Sequence, residues 1–147
     1  MLEELFFFTG LVNSIYLICI FLVRKKENLP LLQKVGGFYF LLAIPSIYGI
    51  FLIQVEQQSV QYSIFLGIFL LFLLLEGVYD FILKIPFRQN WTLLTPYLIL
   101  YFVMNYGFVI MVWKNNLWAG MILLVLFIIQ IIVNIWSHPR KPKLKTY

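Results

Sequence analysis

Five apolar stretches of about twenty residues, separated by short polar connections, constrain this chain more than any other feature: residues 5–23, 37–55, 63–83, 94–113 and 117–136. About 20 helical residues cross the ~30 Å hydrocarbon core of a bilayer. Charged residues make up 12% of the chain, where soluble domains carry about 25%. The expected fold is all-α: a polytopic membrane helix bundle with five transmembrane helices over residues 1–137, then a basic tail at 138–147. The first stretch is expected to be a retained span rather than a signal peptide. It is preceded by the acidic "MLEEL" and followed by the cationic "RKK", the reverse of a secretory leader.

Cations give the bundle a direction. Arg24, Lys25, Lys26 and Lys34 lie in or beside the first connection, Lys84 and Arg88 in the third, and Arg140, Lys141, Lys143 and Lys145 in the tail. With five spans, ten of the eleven Lys and Arg residues fall on one side, and Lys114 alone on the other. The excess of cations on cytoplasmic loops then predicts an outside N-terminus and a cytoplasmic C-terminus. Trp91 and Trp136 fall at the cytoplasmic ends of spans, and Trp113 and Trp118 flank the outer turn "KNN", as interfacial rings do. The expected location is the plasma membrane of a bacterium or archaeon. The scarcity of Ala beside Ile, Phe, Leu and Lys, which points to an AT-rich genome, supports that location.

Inside the spans, the side chains that could do chemistry are few. The third carries Glu76, Asp80 and Lys84 at steps of four, hence on one helix face, with Asp80 placed to pair with Lys84. Pro86 is expected to stop that helix. Glu76 lies about 10 Å inside the boundary by helical rise. Facing lipid there, a carboxylate would cost about 2.5–3.5 kcal/mol on the insertion scale, so Glu76 is expected to face the bundle. Gln130, Asn134 and His138 repeat the spacing in the fifth span, as do Tyr97, Tyr101 and Asn105 in the fourth. Asn13 sits near the middle of the first, on a stripe with Thr9 and Tyr16. Pro45 should kink the second span and free a carbonyl, and Gly36–Gly37 read as a flexible entry to it. Cys19, in the first span, reads as a buried packing thiol.

Several chemistries fall away. One His and one Cys make a metal site of those ligands improbable, and no haem axial ligand, phosphate loop or nucleophile elbow is present, so no cofactor or metal is expected. The cations form no basic stripe interleaved with aromatics, which argues against nucleic acid. What is left is a cytoplasm-facing intramembrane pocket that binds a lipid-soluble, isoprenoid- or sterol-like molecule, or acts on it by proton transfer. In this reading Glu76 and Asp80 are the catalytic candidates, and Asn13, Tyr101, Asn105, Gln130, Asn134 and His138 line the ligand site. The expected partners are membrane lipids, headed by contacts of the basic tail with anionic headgroups. Two other readings compete: a non-catalytic subunit whose acid meets a cation on a partner membrane protein, and a small proton-coupled transporter. An odd span count without an internal repeat weakens the last.

Overall fold

The computed structural model describes residues 1–138, and within them it is all-helical. Nine residues of the expected basic tail, 139–147, lie outside the described residues. Five helical segments are long and apolar enough to cross a membrane: Leu2–Lys25, Pro30–Val55, Val60–Ile82, Trp91–Trp113 and Leu117–Ser137. Each agrees with its expected stretch at the core and runs longer at one or both ends. The first span is α1 (Leu2–Lys25). The second is α2 (Leu29–Tyr39) and α3 (Ala43–Val55), joined by a 3-10 turn at Phe40–Leu42. The third is α4 (Val60–Gly77) with a π turn at Val78–Ile82, and the fourth and fifth are α5 (Trp91–Trp113) and α6 (Leu117–Ser137).

Local chemistry explains most of the boundaries. Asn28, Ser59, Asn90 and Asn116 stand just before α2, α4, α5 and α6, and the side-chain oxygen of each accepts a backbone N–H of the first turn. Glu27, Gln57 and Lys84, each just beyond a span, turn the chain out through left-handed backbone at φ 55°, 51° and 48°. The 3-10 turn precedes Pro45, which has no N–H to offer the carbonyl four residues back. Beside it, Ser46 Oγ donates to Leu42 O at 2.8 Å. The second span is thus irregular just ahead of Pro45, over one tight turn.

Each span packs on its neighbour in the chain, and α6 returns to lie along α1, closing a ring in which α1 also touches α5. Apolar side chains make up most of the core, but burial still departs from the habit of soluble proteins. Asn13, Ser46, Glu76, Asn105 and Gln130 are buried, while Ile44, Phe51, Ile132 and Ile135 stand exposed. Apolar surroundings favour that arrangement, because polar side chains then find partners only within the bundle. Arg24, Lys84 and Arg88 lie at one end, called here the basic end, together with Trp91 and Trp136. Trp113, Lys114 and Trp118 lie at the other.

Four local expectations are corrected. Cys19 is exposed on the outer face of α1 rather than buried; in lipid both faces of a span are apolar, so composition cannot tell them apart. Gly36 and Gly37 are inside α2, and Gly36 is a packing position: a Cβ there would lie 2.8 Å from Phe81 Cζ. The third span ends at Ile82, before Pro86 acts. Finally, Asp80 does not turn to Lys84. The π turn widens the helix, with Leu83 N–H bonded to Val78 O and Ile85 N–H to Tyr79 O. This breaks the four-residue register that the pairing needed.

Candidate functional site

Asp80 is bound across the bundle instead: Arg24 Nη2 donates to Asp80 Oδ2 at 2.8 Å, joining the end of α1 to the π turn, with side chains 17% and 27% exposed. Arg88, carried in by the short turn at Phe87–Gln89, reaches under the same end. Its guanidinium carbon stands 5.3 Å from the Phe21 ring centre, 5.7 Å from Phe87 and 5.9 Å from Tyr97, within cation–π range. Its Nη1 makes a long bond, 3.4 Å, to Asn134 Oδ1. Lys25 Nζ donates to Trp136 O at 3.2 Å and lies over the Trp136 ring, fastening α1 to α6. Glu76, 3% exposed, is one turn deeper than Asp80 and within electrostatic reach of Asp80, Arg24 and Arg88.

Two cavities open at this end. The larger, about 510 Å³, is lined by Arg24, Lys25, Asp80, Arg88, Trp136 and His138 among others. The smaller, about 380 Å³, runs between α1, α2 and the third span past Ile20, Leu32, Gly36 and Phe81 to Glu76. Asp80, Ile85 and Pro86 border both, so the second acid stands at their junction. Around them several buried polar atoms have no hydrogen-bond partner among the described residues: Arg24 Nη1, Arg88 Nε and Nη2, Glu76 Oε2 and Tyr97 Oη. Buried polar groups are ordinarily satisfied, so this concentration at one place distinguishes the basic end from the rest of the bundle.

The residues singled out from sequence divide into two groups. Glu76, Asp80, Asn134 and His138 come together at the basic end, where His138 is exposed on the cavity rim. Partial desolvation at the rim and then the charges of Arg88 and Arg24 hold the His138 imidazole below its ordinary pKa. The other four are tied up in interhelical bonds away from both cavities. Tyr101 Oη donates to Gln130 Oε1 at 3.1 Å, Gln130 Nε2 to Asn105 Oδ1 at 3.2 Å, and Asn105 Nδ2 to Tyr101 O at 2.9 Å, a closed loop between α5 and α6. Asn13 Oδ1 accepts from Tyr39 Oη at 2.6 Å, joining α1 to α2. Such bonds are the usual polar glue of membrane bundles.

Sequence reasoning passed over Arg24 and Arg88 as site residues and treated them as boundary cations. The one available signal was their chemistry: both are arginines among lysines, and a planar guanidinium is the better partner for a buried carboxylate. Compared with family models, with curated proteins and with solved structures, the chain matches none.

Proposed function

We propose that this is a small multi-pass membrane protein that binds an amphiphilic, lipid-soluble molecule at the basic end. The polar part of that molecule rests in the larger cavity and its apolar part along the smaller one. The observation that carries this reading is the junction at Asp80, where a cavity lined by charges meets one walled by Ile20, Leu32 and Phe81. Ligand sites commonly combine apolar walls with a few convergent polar groups. Glu76, at the inner end of the apolar cavity, is the group placed to exchange a proton with the ligand, and Asp80 lies between it and the rim. The cation bias of the connections supports a cytoplasmic position for the basic end and an outside N-terminus.

The test is the lipid content of protein purified from its native membrane, wild type beside Glu76→Gln and Asp80→Asn. One amphiphile should be enriched over the bulk lipid with the wild type and depleted in the variants. Bulk composition throughout would overturn the reading. A membrane protein that co-purifies with the wild type and is lost from the Glu76 variant would assign the acid to a subunit contact instead.

A further inference from the structure

The balance of unpartnered groups at the basic end identifies what kind of polar part the site takes. Around the larger cavity the buried N–H groups without a partner among the described residues are all on guanidinium: Nη1 of Arg24, and Nε and Nη2 of Arg88. The unpartnered carboxylate oxygen, Glu76 Oε2, belongs to the smaller cavity. Apart from the Tyr97 hydroxyl, which can donate or accept, the unpartnered groups beside the larger cavity are thus donors. Of the carboxylates in its lining, Asp80 is already engaged by Arg24 Nη2.

We infer that the larger cavity receives a tetrahedral oxyanion, carried in the membrane as the phosphate monoester head of an amphiphile and held between Arg24 and Arg88. This rests on the amphiphile reading above and names its head group. A guanidinium presents parallel N–H donors in a fork that fits phosphate oxygens bidentately. Phosphate offers enough acceptor positions for both arginines at once, where a hydroxyl or ketone would satisfy one donor and leave the charges unbalanced. Burial and the neighbouring Arg24 charge both lower the Arg88 pKa from its ordinary value; an anion between the two guanidiniums removes the second of these pressures. The short 3-10 turn at Phe87–Gln89 and the three rings around Arg88 fix its approach, so the donors are set before the ligand arrives.

The experiment compares three probes on the full chain in dodecyl maltoside: dodecyl phosphate, dodecanol and inorganic phosphate. Thermal stabilisation and 31P line broadening are the readouts. Dodecyl phosphate should stabilise the wild type, and Arg88→Gln should weaken its binding by about tenfold or more, as expected for losing hydrogen bonds to a charged partner. Arg88→Lys, which keeps the charge and loses the fork, should fall between them and guards against a mere folding defect in the glutamine variant. Dodecanol binding as well as dodecyl phosphate would overturn the oxyanion and leave the amphiphile reading standing. Inorganic phosphate binding as well as dodecyl phosphate would keep the oxyanion site and overturn the amphiphile. Binding of none of the probes, or equal binding of dodecyl phosphate by wild type and both Arg88 variants, would overturn the inference itself.

Discussion

Gly36 meets the tip of the Phe81 ring. The ring of Phe81 lies over the glycine so closely that a Cβ on residue 36 would fall 2.8 Å from Cζ. The contact is one half of an exchange. Phe40, on the same span as Gly36, lies over Gly77, next to the π turn that carries Phe81, at 3.1 Å from the corresponding Cβ position. The two phenyl rings meet edge to face at 5.3 Å. The second and third spans are thereby pinned to one another beside the smaller cavity, with each glycine making room for the other span's ring.

Gly36→Val should therefore destabilise the bundle by about 1–3 kcal/mol, the usual cost of overpacking, and Phe81→Leu in the same chain should recover part of it. Thermal unfolding in detergent of the two single variants and the double variant gives the coupling. Strict additivity would mean that the ring is free to move aside.

The Arg24–Asp80 pair should behave as a partly buried ion pair. Asp80→Ala leaves a mostly buried guanidinium without its carboxylate, and a loss of about 1–3 kcal/mol is expected, below the 3–5 kcal/mol of fully buried pairs. The double variant Arg24→Met, Asp80→Leu should be more stable than the Asp80 variant alone, because no charge is left unpaired. Lys84→Ala should leave the stability within about 0.5 kcal/mol of wild type, and this contrast separates the cross-bundle pair from the helix-local one.

How far the sequence discloses this molecule depends on what the bilayer hides. The five spans are legible because length and apolarity are their physical definition. The inward turn of Glu76 is legible too, since lipid leaves a carboxylate no comfortable alternative. Cys19 is not: with hydrocarbon outside and side chains inside, both faces of α1 are apolar, and no periodicity marks which is which. The partner of Asp80 is hidden for another reason. Four-residue spacing presumes an α register, and the π turn at Val78–Ile82 leaves no mark in composition. Arg24 and Arg88 share their sequence setting with every cation that ends a span.

The loop of Tyr101, Asn105 and Gln130 should act as glue and nothing more. Gln130→Leu is expected to cost about 0.6 kcal/mol, the average for interhelical hydrogen bonds in a membrane, and at most about 1.7. The lipid extract of this variant should match the wild type. Loss of a bound amphiphile in it would bring the loop into the site.

Cys19 gives a probe of the surroundings of α1. A nitroxide attached there in reconstituted vesicles should relax readily with oxygen and poorly with a water-soluble nickel chelate, as an outward-facing position in hydrocarbon requires. The reverse order in a power-saturation experiment would place that face of α1 in water.

His138 should take up its proton below the ordinary histidine value of about 6.5, because partial desolvation and the Arg88 and Arg24 charges disfavour the imidazolium. The unfolded chain then binds more protons than the folded one in that range. The contribution is fully present above about pH 6.5 and is lost as the pH falls through the folded value. Imidazole chemical shifts followed against pH should show the depressed midpoint, and Arg88→Gln should raise it.

The ion pair between Arg24 and Asp80 also has a history built into it. Fifty-six residues separate the two, and a ribosome makes the arginine first. The carboxylate has this partner only once both segments have been made and brought together. A shortened chain beginning after Lys26 would present the same acid without the guanidinium of Arg24.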